Sequence, residues 1–489
     1  MKSYKKYIAG FLFIFGVAVL FWFSLSNLTE TPPTWMDEGI IIQTARNFSI
    51  SGISGIRIDP QTIVSAGYVT TSYPVTLPIS GIFRIFGVDL LNARIVMVFY
   101  IILLVFVALF WLRKNIQNNI LVIILALFFI VTFPPLYGHG KNVLGEISGL
   151  FFLFMSMIFV ELAYRSYLDS LSKFKHKIIY TSLCLIFIGL TVVTKPIFIL
   201  LLPTLFIALI INLKQIRMIV ATRESIILFL TGILAFLIPI IFWLFFQFHG
   251  ETLGEMLSIY ANPHSAVIGT SIITNLSRFI TERQPIYTAL LILIWTIVLV
   301  VRHKRKEKIK LSEIVLWSFT ILILLAYLRT VGYYRYFFLA EFIALIMFPS
   351  NILYFASSRN TKFIAVAICS LLIGVQSYGL IYTGWTARYK GNTQSFDLKN
   401  FLKESPADKE IFVYQAPELV TFIPHENYSQ FIEITPTIQV GKSSLDRIAG
   451  GLPSIIATNS NYADIIKDIG QNKYILFSSI GKYQFFHKK

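Results

Sequence analysis

The sequence predicts a mainly α, polytopic membrane protein with about eleven transmembrane helices, and three observations carry that expectation. Hydrophobic residues make up 56% of the 489 positions and charged residues only 14%, against about 25% charged in soluble domains. The mean hydropathy is +0.70. Apolar runs long enough to cross about 30 Å of hydrocarbon as helix recur along the chain, and cations crowd the short loops between alternate runs. The formal charge of +17 is therefore a topology signal and not a nucleic-acid footprint. Cys184 and Cys369 both fall within apolar runs, so neither a disulfide framework nor a zinc site follows from them.

The runs lie near 7–28, 91–112, 119–137, 144–163, 178–194, 196–213, 225–247, 285–301, 312–329, 334–355 and 362–383. The first follows a Lys2/Lys5/Lys6 leader and has no small-residue cleavage signal, so it reads as a retained span. Pro196 separates the fifth and sixth runs, and the short gap Arg329–Arg335 separates the ninth and tenth. Arg113/Lys114, Arg165 with Lys173/Lys175/Lys177, Lys214/Arg217/Arg223, Arg302 to Lys310 and Arg359/Lys362 all fall on the side of the N-terminal leader. By the positive-inside bias that side is cytoplasmic.

Three pieces then lie outside. Residues 29–90 hold Asp37-Glu38, followed by Ile41, Ala45 and Phe48, and later Tyr73-Pro74 with Ile79, Ile82, Phe83 and Phe86. Each apolar set repeats at three-to-four-residue spacing but is too short to span, which predicts amphipathic interfacial helices. Residues 248–284 carry His249, Glu251, Glu255, His264, Arg278 and Arg283, spaced too loosely for a metal motif. Residues 391–489 are far more polar. They mix β-like runs at 410–414 and 473–477 with helical runs at 396–403 and 462–469, as a small α/β domain of about a hundred residues would. The expected organisation is a membrane domain, 1–390, followed by this extracytoplasmic domain, 391–489.

Chemistry-bearing residues gather at the outer rim. Asp37 and Glu38 sit just past the first span, where a carboxylate is costly near hydrocarbon. Two readings stand for Asp37. Thr34-x-x-Asp37 matches a helix capping box, and a carboxylate there also serves as a general base toward an acceptor hydroxyl. Glu38 reads as a solvated first-turn acid or as a partner in the same chemistry. Next come His139, Lys141 and Glu146 in one short turn, Glu146 being slightly inside an apolar helix. His139 reads as a polar loop residue or a substrate-binding one, Lys141 as a cation near a phosphate site, and Glu146 as a favourable helix-N-terminal acid or a substrate-binding one. Lys195 interrupts an apolar stretch, either snorkelling to the interface or pairing with an acid or a lipid phosphate. Arg329 and Arg335 flank Val331 to Tyr334, with Tyr336 beyond. An arginine outside, against the charge bias, points to a phosphate held by its planar fork. Arg278 and Arg283 are weaker candidates. No Walker loop, dinucleotide fingerprint or HExxH helix occurs. The short basic cytoplasmic loops leave no room for a nucleotide-sugar domain, so a sugar donor used outside must arrive on a lipid.

Asp37-Glu38 after the first span, Tyr73-Pro74 ahead of an interfacial helix, Leu144-Gly145-Glu146, Thr194-Lys195-Pro196 and Arg335-Tyr336-Phe337 together make the chain resemble a known family. This is the polyprenol-phosphate-sugar-dependent glycosyltransferases of the membrane-embedded class C fold, in particular the protein mannosyltransferase and aminoarabinose transferase group of dolichyl-phosphate-mannose-type enzymes. The resemblance covers the membrane part, strongest in about 1–350. It implies inverting transfer from a polyprenyl-phosphate sugar to a lipid, glycan or protein acceptor on the outer face. Asp37 would be the base, Glu38 would orient the acceptor or hold Asp37, and Lys195 and Arg335 would meet the departing phosphate charge. With no Asp-x-Asp pair, the expected mechanism has no metal or other cofactor. A transporter or flippase of lipid-linked sugars is the first alternative, expected to show broken midplane helices and an internal repeat. A membrane scaffold with a C-terminal binding module is the second.

Overall fold

A computed structural model describes residues 2–116, 119–169, 171–211, 223–248, 254, 268–330, 332–435, 438–470 and 473–489. His249, Glu251, Glu255 and His264, with the loop cations Lys214 and Arg217, lie outside the described residues. The first helix is α1 (Lys2–Leu25). A long loop follows, built from α2 (Met36–Ser51), the antiparallel pair β1 (Gly55–Arg57) and β2 (Ile63–Ser65), and α3 (Tyr73–Phe86). The bundle continues through α4 (Leu90–Trp111), α5 (Ile120–Val131), the short α6 (Pro134–Gly138), α7 (Gly145–Leu168), α8 (Phe174–Thr194), α9 (Leu201–Ile211), α10 (Arg223–Gln247), α11 (Ile268–Thr281), α12 (Arg283–Lys304), α13 (Leu311–Arg329), α14 (Phe338–Tyr354) and α15 (Arg359–Tyr378).

Among the described residues eight helices are long and apolar enough to cross a membrane: α1, α4, α7, α8, α10, α12, α13 and α15. The other three expected runs coincide with shorter apolar helices, and proline or a 3-10 turn marks each shortening. The run at 119–137 stops at Val131 because Pro134 and Pro135 open a separate turn. Proline supplies no N–H and pushes its predecessor out of the helical region. The run at 196–213 starts with the 3-10 turn Pro196–Leu200 before α9, and a 3-10 turn at Tyr334–Tyr336 precedes α14.

The sequence reading missed α11 and the strands β1 and β2, and it placed α2 differently. The spacing of Ile41, Ala45 and Phe48 predicts one apolar face and one wet face. In the structure Glu38 to Asn47 are all buried, because the C-terminal region covers the polar side. Gly39 makes the closest approach: a Cβ there would lie 2.3 Å from the Glu418 Cα and 2.4 Å from its amide nitrogen, so no larger residue fits.

Among the described residues of 394–489, six strands form a mixed sheet, ordered β5-β4-β3-β6-β8-β7. Its strands are β3 (Ile411–Tyr414), β4 (Tyr428–Thr435), β5 (Ile438–Val440), β6 (Ile455–Asn459), β7 (Tyr474–Ile480) and β8 (Tyr483–Lys488). Central β3 is parallel to both neighbours, pairing Ile411 with Tyr428 and with Ile455. Strand alternation then divides its side chains between two cores. Ile411 and Val413 join the apolar core that runs into the membrane bundle, and Phe412 and Tyr414 face a second core with Ile448, Ile456, Ile466 and Phe486. Polar contacts dock the sheet on the first loop. Arg46 donates to the carbonyls of Val420, Ile423 and His425 at 2.7, 2.8 and 2.9 Å and pairs with Glu426 at 2.6 Å. Arg57 holds the other Glu426 oxygen at 2.9 Å.

Candidate active site

Four pieces of chain meet at one end of the bundle: the start of α2, the turn between α6 and α7, the α8–Pro196 junction, and the 3-10 turn before α14. Arg94, near the start of α4, fastens the first two. Its Nε and Nη2 donate to the two Glu38 oxygens at 2.8 and 2.6 Å. Its Nη1 donates to the carbonyls of Leu28 and Pro32, both at 2.8 Å, and Nη2 donates also to Asn142 Oδ1 at 3.0 Å. These contacts use every N–H that a guanidinium carries. The Val143 amide adds a bond to Glu38 Oε1 at 3.2 Å. Both side chains are 0% exposed, so the expectation of a solvated acid at Glu38 is corrected. Glu38 is instead the buried anchor of this end of the molecule. An arginine inside an apolar run is itself a costly residue, and that was the signal in the sequence for Arg94.

Successive helical residues project about 100° apart, so Glu38 pointing inward turns Asp37 toward the rim. The expected Thr34 capping box does not form. The helix starts at Met36, its N-cap is Trp35 with no side-chain cap, and Thr34 Oγ1 has no partner among the described residues. Asp37 Oδ2 pairs with Arg335 Nη1 instead. Asp37 is 37% exposed and Arg335 10%, so the pair opens on the carboxylate side. The guanidinium lies among three rings, 4.9 Å from the Trp35 centroid, 5.0 Å from Tyr336 and 5.5 Å from Tyr333. It also donates from Nη2 to Tyr336 Oη at 3.1 Å. Burial opposes the charge on Arg335; Asp37, Tyr336 and Glu146 outweigh it and hold the guanidinium above its ordinary value. The turn that presents it is braced from α11. Asn275 Nδ2 donates to the carbonyls of Tyr327, Leu328 and Thr330 at 3.1, 3.2 and 2.7 Å, and Arg278 donates to the carbonyl of Gly332, whose φ is +78°. Arg278 is thereby a brace for Arg335.

Lys195 leaves α8 in an extended conformation, as a residue before proline must, and its ammonium pairs with Glu146. Both are buried, at 5% and 1% exposure. Gly145 permits the approach: a Cβ there would stand 2.6 Å from the Thr194 carbonyl oxygen. His139 is half-buried nearby, with ring centroids 5.6 Å from Tyr334, 5.8 Å from Phe338 and 5.5 Å from Trp385. Burial lowers its pKa to about 4; Glu146 opposes this, and Arg335 and Lys195 add to it. The imidazole is neutral at physiological pH. Lys141, from the same turn, faces away toward α1, where its Nζ donates to the Ser26 carbonyl at 2.7 Å.

Asp37, Arg335, Tyr336, Glu146, Lys195 and His139 are thus one electrostatically coupled cluster, and Glu38 and Lys141 lie beside it. Trp35, Tyr333, Arg94 and Asn142 belong to the same construction and were not singled out in the sequence. Among the described residues no three His, Cys, Asp or Glu side chains converge.

No family model matches the chain, and no curated protein matches it in sequence. Its fold does match solved structures. ArnT from Cupriavidus metallidurans bound to undecaprenyl phosphate superposes with a TM-score of 0.59 at 10% identity, covering 97% of each chain. ArnT from the same organism in the apo state gives 0.60 at 11% identity, covering 98% of each. The Archaeoglobus fulgidus oligosaccharyltransferase in the apo form gives 0.56 at 14% identity, covering 98% of this chain and 70% of that one. The chain therefore has the membrane-embedded class C glycosyltransferase fold, as the sequence resemblance implies.

Removing one partner of a buried ion pair costs about 3–5 kcal/mol. Glu38→Gln and Arg94→Lys are each expected to lower the thermal unfolding midpoint of the purified protein sharply, the lysine because it loses the fork. Asp37→Asn, at the open rim, is expected to unfold close to the parent. Equal midpoints for Glu38→Gln and the parent would remove the anchoring role.

Proposed function

We propose that the protein is an integral-membrane glycosyltransferase that moves a sugar from a polyprenyl-phosphate donor to an acceptor hydroxyl on the extracytoplasmic face, with inversion. The observation that carries the reading is the half-exposed Asp37 carboxylate held against Arg335, beside the Glu146–Lys195 pair, at one end of a class C fold. The ArnT structure is of a protein bound to undecaprenyl phosphate, and an AglB structure from Archaeoglobus fulgidus contains a dolichol-phosphate.

The donor phosphate docks on the Arg335 fork, with Lys195 close behind. It competes with Asp37 for the guanidinium and places its own negative charge nearby, which makes the carboxylate a better proton acceptor. An acceptor hydroxyl then attacks C1 of the sugar. Asp37 takes its proton as the new C–O bond forms, the C1–O bond to phosphate breaks, and polyprenyl phosphate leaves with the electron pair. Arg335 and Lys195 meet the charge that develops. Neutral His139 and Tyr336 line the same cluster and position these groups. Because phosphate is already a good leaving group, alignment and one base supply most of what the reaction needs, and no step is assigned to a metal ion.

Asp37→Asn keeps the shape and removes the base. It is expected to bind donor as the parent does and to lose on the order of 10²–10⁴ in turnover, measured as polyprenyl phosphate released in the presence of acceptor. Near-parental turnover would exclude Asp37 as the base.

The orientation in this reading rests on the loop cations. The site cluster and residues 394–489 lie together at the end of the bundle remote from Arg113, Lys114, Arg302 and Arg305. A reporter fused after Tyr389 is expected to be active only outside the cytoplasm, and cytoplasmic activity would reverse the topology.

A further inference from the structure

A cavity of about 1050 Å³ lies between α1 and the segment that follows α15. That segment runs through a π-type turn, Gly379–Thr383, into a one-turn helix, α16 (Trp385–Arg388). Phe21, Trp22 and Leu25 of α1 and Leu380 and Ile381 opposite form its apolar wall. Trp22 is 70% exposed and Phe21 40%, on a helix long and apolar enough to cross the membrane, so the cavity opens sideways toward lipid. Lys141 and Lys390 line its polar end, and no carboxylate does.

Three observations at that end point to an anionic ligand. Lys141 carries three N–H donors and has one acceptor among the described residues, the Ser26 carbonyl. Burial, and then the nearby Arg94 charge, press its pKa down to about 7, an unfavourable environment that an anion in the cavity relieves. Thr386 Oγ1 is buried in the same wall with no partner among the described residues. Glu30, the nearest acid in sequence to the α1 end of the wall, is already engaged by the backbone amides of Ser395 and Phe396 at 3.0 and 2.8 Å.

We propose that this cavity is a second lipid site, separate from the donor-phosphate site at Arg335 and Lys195, and that it takes a lipid with a phosphate-bearing headgroup as the acceptor. The headgroup phosphate sits between Lys141, Lys390 and the Thr386 hydroxyl, and the chains lie along α1. The cavity adjoins the reaction cluster at Trp385, next to Thr386 in its wall, whose ring centroid is 5.5 Å from that of His139. The acceptor role rests on the transferase reading; the lipid site does not.

The test uses the full-length protein in lipid nanodiscs with photoactivatable phosphatidylglycerol and phosphatidylcholine carrying the same reactive acyl chain. Phosphatidylglycerol is expected to label peptides covering 18–27 and 380–390 several-fold more than phosphatidylcholine. Lys390→Gln, an exposed change that leaves the fold intact, is expected to lower phosphatidylglycerol labelling roughly fivefold, the worth of one lysine near an anionic headgroup. Lys141→Gln is expected to lower it further. Equal labelling by the two lipids, or no effect of Lys390→Gln, overturns the site. Displacement of phosphatidylglycerol by equimolar undecaprenyl monophosphate also overturns it, since the cavity would then be a donor port. Selective labelling in a protein that releases no polyprenyl phosphate from any donor overturns the acceptor role and keeps the lipid site. Unselective labelling in a protein that does release it sinks the lipid site and leaves the transferase reading standing.

Discussion

The buried Glu38–Arg94 pair decides where everything at the rim can stand. Two charges taken wholly out of water gain little net stability from each other unless every remaining donor is used. Here they are: the guanidinium also holds the end of the first loop's lead-in at Leu28 and Pro32 and the Asn142 side chain, and the carboxylate also accepts from the Val143 amide. One ion pair thus ties the exit of α1, the start of α2, the N-terminal part of α4 and the turn before α7. Asp37 is the residue next to this anchor. Its position follows from a rigid, dry constraint, while its own carboxylate stays at the open side of the Arg335 pair. A base for proton transfer needs this combination, fixed in place and yet reachable.

The C-terminal region extends the same logic. α2 carries Asp37 at its first turn and Arg46 two to three turns later. Arg46 is clamped by three carbonyls and Glu426, and Gly39 lets the chain at Glu418 press against the helix. The chain between β3 and β4 thereby grips the element that bears the carboxylate at two points, Gly39 and Arg46. One face of its central strand is continuous with the apolar core of the bundle, which makes residues 394–489 part of the scaffold of the site as well as a candidate binding surface.

Much of this was legible in the residues, and for physical reasons. Long apolar runs have few alternatives to membrane helices, and the broken runs carried their own marks at Pro134, Pro196 and Tyr334–Tyr336. Asp37, Glu146, Lys195 and Arg335 stood out because charge is expensive at that depth. What the sequence withheld was pairing. Glu38 reads like any first-turn acid until Arg94 arrives from 56 positions later. The capping motif at Thr34 is locally sound and loses to the tertiary partner of Asp37. The amphipathic pattern of α2 is real, yet its polar face is covered by chain from nearly four hundred residues downstream, as in the bond from Gln43 to Tyr428. The strands of the C-terminal sheet were half visible: the runs of β3 and β7 were legible, whereas β4, β6 and β8 take their stability from register with neighbours.

The account stands or falls on whether this rim handles a lipid-borne phosphate sugar. The most direct measurement gives the purified protein a panel of polyprenyl-monophosphate sugars together with membrane lipid extract and follows free polyprenyl phosphate. The account requires release from at least one donor, dependent on Asp37, with the sugar appearing on an acceptor in the opposite anomeric configuration. Transport of an intact donor across a sealed vesicle without any release would contradict it.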